Sequence, residues 1–403
     1  MLALPRRFGR PLPHRRTIRA IAGLTSVALI ATLLATLVAG PVQAAAGVPA
    51  GGNAGPVGGT QLGSTGVVYD SQAGVPAPPA VVASGWVVAD LDTGEVLGAS
   101  DPHGQFGPAS TLKVLSALVM LPLIPPEQQI TATSAAVNVD GSKVGVVPGH
   151  AYSADTLFTG MLVVSGNDAT RVLASALGGD DAVLAMMNAK AAELHADDTV
   201  AKTVTGLDAP GQSTSAYDLA LISRAALQLP AFRNYVAITR TQFAGVDVPG
   251  FAISNHNLLL GHYPGAYGVK NGYTDASRAT YVGAAQRDGH NLMVTMVRTD
   301  PEYRNSAEAL LNWGFAADGK VSPVGTLVAP GTPAAAPAPT NEIAAAGTAA
   351  RIAAPPKAGH RLGGLEYGAI GIAAGVLVLF FARRQQIKRR RRYRRTRLRL
   401  PDI

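Results

Sequence analysis

The chain has no cysteine among its 403 residues. That excludes disulfides, thiol nucleophiles and thiolate metal sites, and it is compatible with an exported protein that folds on core packing alone. Histidine is sparse: the eight present are scattered, with no His-x-x-x-His and no paired-acid pattern, which speaks against a zinc peptidase. The glycine pairs Gly51-Gly52 and Gly58-Gly59 lack a strand–loop–helix frame, so they read as linker and not as a phosphate loop. No internal repeat is visible. A basic patch on the body of the chain is missing too. The formal charge of +8 sits at the ends: residues 1–44 hold six arginines and no acid, and residues 383–403 hold eleven Lys/Arg against Asp402. The middle has 17 bases and 25 acids. A nucleic-acid protein would carry its positive charge on the folded domain, so no nucleic-acid partner is expected.

The two basic ends flank apolar runs instead. Arg6 to Arg19 precede the almost wholly apolar Ile21–Val38, and Val42-Gln43-Ala44 suits a small-residue cleavage site, so residues 1–44 read as a secretory signal. Tyr367–Ala382 is uncharged; counted from Leu362, the run approaches the ~20 residues of a membrane span. Arg383-Arg384 and Lys388–Arg395 follow at once, which places a basic tail, 383–403, in the cytoplasm and the body of the chain outside the cell membrane.

Between these ends, residues 45–80, rich in Gly, Ala, Pro and Val, read as a flexible leader, and residues 321–361 as an Ala/Pro-rich linker. That leaves one globular domain at 81–320 and a single-pass helix at 362–382. Within the domain, Gly85–Asp90 and Glu95–Ala99 flank a Gly-containing turn, as in a hairpin. A helix is expected from Ser110 to about Leu121, stopped by Pro122. The stretch 153–235 reads as mostly helical. Strand patterns return in Ala279–Gln286 and Asn291–Arg298 around a second hairpin turn, and a helix near Glu302–Trp313 closes the domain. The order predicts an α/β fold: an antiparallel sheet flanked by helices, with a separate helical lobe.

Ser110-Thr111-Leu112-Lys113 is the only Ser-x-x-Lys in the chain. Serine is a poor nucleophile until a base takes its proton, and residues three apart on a helix touch, so this spacing sets an amine beside a hydroxyl. Taken alone, a helix-capping serine and a solvated lysine fit as well. Two further pieces change the balance. Ser165-Gly166-Asn167 can relay a proton and hold Lys113. Lys270-Asn271-Gly272-Tyr273-Thr274 adds a cation that attracts a carboxylate and depresses the pKa of Lys113, on a strand able to pair with an extended peptide. Acyl transfer needs this set: nucleophile, proton shuttle, oxyanion donors and a substrate clamp.

Ser-x-x-Lys, Ser-x-Asn and Lys-x-Gly in this order resemble the three motifs of the penicillin-binding proteins and serine β-lactamases. The flanks Asp90–Leu97, Pro108-Ala109-Ser110, Met187–Lys190, Thr205-Gly206-Leu207-Asp208, Asn255–Leu259 and Leu311–Phe315 narrow the resemblance to the low-molecular-mass D-alanyl-D-alanine carboxypeptidases, over roughly residues 80–318. The resemblance implies a DD-peptidase/β-lactamase-like fold with a site at the seam of two lobes. It implies Ser110, Lys113, Ser165 and Asn167 as catalytic residues, with Lys270, Asn271, Gly272, Tyr273, Thr274 and Arg298 around the substrate. It also implies an oxyanion hole from the backbone N–H groups of Ser110 and Tyr273. The implied ligands are peptidoglycan stem peptides ending in D-Ala-D-Ala and β-lactams; no metal or organic cofactor is implied. Asn271 departs from the family's usual Thr, and Ser277-Arg278 from its usual Ala-Gly. Arg278 is expected to be a solvated edge-strand residue, His256 a structural hydrogen-bonding residue and Asp168 a capping or packing residue. A weakly active penicillin-binding relative stays open as an alternative. A β-lactamase is disfavoured, because no Glu-x-x-x-Asn in the helical insertion resembles a water-activating device.

Overall fold

A computed structural model describes residues 55–331, apart from 73, 247 and 248, and all of these lie in one unit, Met1–Ala338. The strands, in chain order, are β1 (Val67–Tyr69), β2 (Gly85–Asp90), β3 (Glu95–Ser100), β4 (Gln129–Thr131), β5 (Ala151–Ser153), β6 (Arg240–Phe243), β7 (Phe251–Ser254), β8 (Ala266–Thr274), β9 (Arg278–Arg287), β10 (His290–Thr299) and β11 (Gly325–Thr326). The helices are α1 (Lys113–Met120), α2 (Ser134–Val137), α3 (Ala154–Val163), α4 (Asn167–Ser175), α5 (Asp180–Glu193), α6 (Ala216–Leu227), α7 (Pro230–Ala237) and α8 (Arg304–Ala317). Seven strands form one sheet in the order β1-β3-β2-β10-β9-β8, with β11 also on β3, and every pairing is antiparallel. The expected sheet-plus-helices architecture is what forms.

Both faces of the sheet are covered, which is why β2 shows no polar alternation. All six of its residues are buried. Val87 and Ala89 face one core, with α1, α6 and the helical lobe, whereas Trp86 and Val88 face a second core with Leu310, Leu311 and Trp313 of α8. Strand β10 splits the same way: Met293 and Val297 to the first core, Leu292, Val294 and Met296 to the second. Successive side chains on a strand point to opposite faces, so a run that is apolar throughout feeds two cores at once. The β9–β10 connection is the two-residue turn Asp288-Gly289, with positive φ at both positions, the geometry that matches the twist of a hairpin.

Polar bonds lock the lobe to the sheet. Arg224 on α6 grips the β2–β3 turn, with Nε donating to Leu91 O at 2.9 Å and Nη2 to Asp92 O at 3.0 Å. Thr295 of β10 donates its buried hydroxyl to Ala216 O, at the start of α6.

Three expectations need correction. The first helix begins at Lys113, because Ala109–Leu112 forms a tighter 3-10 turn. Residues expected to be a flexible leader carry structure: β1 pairs with β3, Leu62 lies in the first core, and Pro76 O accepts the indole N–H of Trp313 at 2.8 Å. At the other end β11 and the buried Leu327 extend the domain past 320. Among the described residues no helix is long and apolar enough to cross a membrane. The expected signal (1–44), membrane helix (362–382) and basic tail (383–403) lie outside the described residues, as does most of the linker.

Asp168, one residue into α4, organises the wall beside the sheet. Its buried carboxylate accepts N–H bonds from Val144 (3.0 Å), Gly145 (2.8 Å), Val146 (3.0 Å) and Ala169 (2.9 Å), pinning the loop between α2 and β5. The expected packing role is what the geometry shows. Removing it strands three loop donors. Asp168→Ala should lose roughly 3 kcal/mol or more of stability, because each hydrogen bond to a charged group contributes about 1.5–3 kcal/mol and orphaned buried donors add to the cost. In a thermal melt that is a fall of roughly 6–12 °C for a domain of this size. An unchanged melting temperature would show that the loop is held by other contacts.

Candidate active site

Ser110 lies in the 3-10 turn between sheet and lobe, half-buried, and three neighbours fix the backbone around it. The carbonyl of Pro108 accepts two hydroxyls, from Thr111 at 2.6 Å and from Thr280 of β9 at 2.7 Å. The carbonyl of Ala109 lies where a Cβ on Gly206 would have to be, 1.8 Å away, and Gly206 also has φ +82°. The N–H of Ser110 faces Gly272 on β8, where a Cβ would sit 2.4 Å from that nitrogen. Only glycine leaves room at these two positions. Ala109 itself is held in the left-handed region at φ +46°, a costly conformation of the kind found where a reactive residue must be aimed.

Lys113 follows one turn later and is fully buried. Its Nζ lies 2.9 Å from Ser110 Oγ, 2.6 Å from Asn167 Oδ1 and 2.7 Å from Thr205 O. Asn167 opens α4, and its own amide is oriented by donation from Nδ2 to Asp140 O at 2.7 Å. Burial pushes the Lys113 amine well below the ordinary lysine range, the nearby Lys270 cation pushes it further, and Asp168 opposes both. A neutral amine has two N–H donors and one lone pair. Asn167 Oδ1 and Thr205 O can only accept, so they take the two donors and leave the lone pair aimed at the Ser110 hydroxyl. That is the arrangement of a general base.

Lys270 sits in the middle of β8, which among the described residues is the last strand of the sheet and pairs only with β9. It too is buried, its Nζ donates to Asn271 O at 2.6 Å, and burial pushes its amine down to about 7. Ser165 occupies the turn between α3 and α4 at φ +62°, and its buried hydroxyl has no hydrogen-bond partner. The structure therefore brings Ser110, Lys113, Asn167 and Gly272 into direct juxtaposition and gives Ser165 no bond to any of them. Tyr273 is half exposed, with its hydroxyl 3.3 Å from Asp275 Oδ1. Thr274 is engaged elsewhere: its hydroxyl donates to Asp208 Oδ1 at 2.7 Å, and Ser277 donates to the same oxygen at 3.1 Å.

Arg298 makes no hydrogen bond to Ser110, Lys113 or Lys270. It lies at the irregular end of β10, exposed, with Nη1 donating to Ala276 O at 3.4 Å, so it overhangs the turn that follows β8. Arg278 faces solvent and pairs loosely with Asp300 at 3.8 Å. His256 donates its backbone N–H to Val163 O, and burial, aided by Lys270, lowers its pKa. Three contributors give no sign of their role in the sequence. Thr205 acts through its carbonyl, which no side-chain pattern reveals; Thr280 sits in an ordinary strand; and Asp208 shows only as part of a family flank.

The burial of Lys270 has a measurable consequence. An ordinary lysine titrates at 10.5 and this one at about 7, so between those values the unfolded chain holds a proton that the folded chain releases. Stability contributed here must then rise with pH across that window, by at most about 1.4 kcal/mol per pH unit. Lys270→Met removes the titrating group. The unfolding free energy of the wild type, minus that of the variant, should climb as the pH is raised from neutral toward 10. A flat difference would mean that Lys270 keeps an ordinary amine.

A profile of D-alanyl-D-alanine carboxypeptidases matches residues 72–300. The D-alanyl-D-alanine carboxypeptidase DacB2 of Mycobacterium tuberculosis is 45% identical over 249 residues, which cover 60% of this chain and 85% of that protein. A crystal structure of a D-alanyl-D-alanine carboxypeptidase from the same organism superposes with a TM-score of 0.61 at 42% identity, covering 64% of this chain and 99% of that one. Penicillin-binding protein 6B of Escherichia coli superposes with a TM-score of 0.56 at 32% identity, covering 61% and 80%. With Ser110, Lys113 and Asn167 assembled at the seam of the two lobes, the chain belongs to the D-alanyl-D-alanine carboxypeptidase family of serine peptidases.

Proposed function

We propose that this chain removes the terminal D-alanine from peptidoglycan stem peptides through an acyl-enzyme on Ser110, and that penicillins acylate the same serine. The observation that carries the reading is the dry Lys113 amine 2.9 Å from Ser110 Oγ with its other two directions occupied by acceptors. Lys113 takes the hydroxyl proton as Oγ attacks the carbonyl of the penultimate D-alanine. The oxyanion is received by the N–H groups of Ser110 and Tyr273. The C–N bond to the last D-alanine then breaks, and its nitrogen leaves with a proton passed from Lys113, for which the unpartnered hydroxyl of Ser165 is a suitable relay. Water attacks the ester by the same proton route in reverse and frees Ser110. The peptide lies along the open edge of β8, and Lys270 attracts its terminal carboxylate, with Asn271 and Thr274 beside it.

Ser110→Ala should abolish both D-alanine release from a D-Ala-D-Ala-ended peptide and covalent labelling by a fluorescent penicillin, since both need the same ester. Labelling that persists in the variant would place the nucleophile elsewhere. Asn271, where the family usually has Thr, motivates the other reading, a weakly active relative that binds wall peptides without turning them over. Labelled wild-type protein that releases no D-alanine would decide for that reading.

The chain's ends support a setting for this activity. An N-terminal secretory signal and a C-terminal span at 362–382, followed by a basic tail, anchor the catalytic domain on the outer side of the cell membrane. Protease added to intact cells should then remove the domain and spare an epitope placed after Arg395. Cleavage or antibody staining of that epitope without permeabilisation would reverse the topology.

A further inference from the structure

Away from Ser110, a second polar cluster joins three parts of the chain. His103 follows β3, Asp198 lies in the turn after α5, and Asp218 sits in the first turn of α6. One ligating atom from each lies within 4.8 Å of the others. We propose that these three side chains bind one divalent transition-metal ion of the zinc class, at a site with no part in the acyl-transfer chemistry.

The Nε2 of His103 lies 3.1 Å from the carbonyl of Val57, an obligatory acceptor, so that nitrogen carries the hydrogen. In the neutral ring the lone pair is then on Nδ1, which points at Asp198 Oδ2, 2.8 Å away. Asp198 uses its other oxygen to accept from Gln105 Nε2 at 3.2 Å. Asp218 uses Oδ2 to accept the hydroxyl of Thr199 at 2.7 Å. Its Oδ1 is buried with no hydrogen-bond partner, in a residue only 1% exposed. Each of the three groups is thus steadied by a bond on one atom and keeps another for a shared ligand. A metal-binding histidine commonly has this arrangement, with its second nitrogen donating to a backbone carbonyl.

An imidazolium–carboxylate pair would account for His103 and Asp198 alone. It leaves the buried Asp218 Oδ1 without a hydrogen bond of normal geometry, the Asp198 backbone N–H being the one further donor that bears on this carboxylate, and burying an unsatisfied polar atom costs on the order of 1–3 kcal/mol. A cation serves all three. One imidazole and two carboxylates neutralise a divalent charge and suit zinc, with water completing the usual four positions. Water can reach the cluster, since the side chains of His103 and Asp198 keep 22% and 17% of their exposure. Tetrahedral bonds of ~2.0–2.1 Å separate neighbouring ligand atoms by ~3.3 Å, so His103 and Asp198, 2.8 Å apart, need to part by about 0.5 Å, and the Asp218 oxygen, within 4.8 Å of them, to close in by up to about 1.5 Å. None of the three residues hydrogen-bonds to Ser110, Lys113, Asn167 or Lys270. What the ion would join is α6, the turn at Asp198 and, through Val57, the segment that leads into β1.

The test uses the full chain in mild detergent, free of affinity tag and stripped with a chelator, then titrated with zinc chloride in a calorimeter. The expected result is one ion per chain, with affinity at least 100-fold weaker in Asp218→Asn and in Asp198→Asn. Zinc at about 100 times its dissociation constant should raise the wild-type melting temperature by roughly 5–10 °C and leave the variants unmoved. Chelator-treated variants should still label at Ser110 with fluorescent penicillin, which separates loss of the ion from loss of the fold. If Asp218→Asn does not fold, Asp198→Asn and His103→Gln, both at partly exposed positions, give the same reading. The proposal fails if the wild type takes up no stoichiometric zinc, or if the variants bind it with unchanged affinity.

Discussion

One amine, kept dry between a serine hydroxyl, an asparagine oxygen and a backbone carbonyl, sets the terms for the rest of the molecule. Burying a lysine is unfavourable, and it stays buried only where rigid acceptors replace water. Lys113 meets partners from three directions: the 3-10 turn that holds Ser110, whose hydroxyl faces the lone pair, and two acceptors, Asn167 at the start of α4 and the Thr205 carbonyl before α6. Those segments come from separate parts of the chain, so the sheet, the lobe and the loop pinned by Asp168 must all be in place before the amine has its partners. The unfavourable burial and the reactivity are the same fact. A lysine free to reach water would hold its proton and could not accept one from serine.

The same logic explains why the neighbourhood is so short of side chains. Gly206 and Gly272 let two backbones press against the residues on either side of the Ala109–Ser110 bond, and the hydroxyls of Thr111 and Thr280 converge on the carbonyl just before it. Ser110 is held by what surrounds its backbone more than by its own side chain. Catalytic groups that must be right to a fraction of an ångström are commonly supported this way.

Much of this was legible in the sequence, and the parts that were not share a cause. Ser110, Lys113, Asn167 and Lys270 show themselves because chemistry restricts residue type at fixed spacing, and the two hairpins show themselves through turn residues. Side chains that serve as scaffolding are not restricted in the same way: Thr280 reads as an ordinary strand residue, and Thr205 contributes an atom that every residue has. The helix α1 starts three residues after the position its pattern suggests, because a 3-10 turn and an α-helix look alike over four positions. Composition alone makes residues 55–72 look like a leader. Their structure comes from pairing with β3 and from burying Leu62, long-range contacts that local composition does not report. His103, Asp198 and Asp218 lie so far apart along the chain that no motif could unite them.

The placement of β1 and β11 has a mechanical side. Both strands join β3, the former through three residue pairs and the latter through two, whereas Ser110 meets β8 at the opposite margin of the sheet. Adjacent strands lie about 4.8 Å apart, so four intervening spacings put roughly 20 Å of hydrogen-bonded sheet between β3 and β8. Tension applied through either end of the described chain is carried first by these short ladders. They would peel while β8, β9 and β10 still hold their register. A pull on that margin of the sheet can thus be absorbed there and leave the Ser110 margin in register.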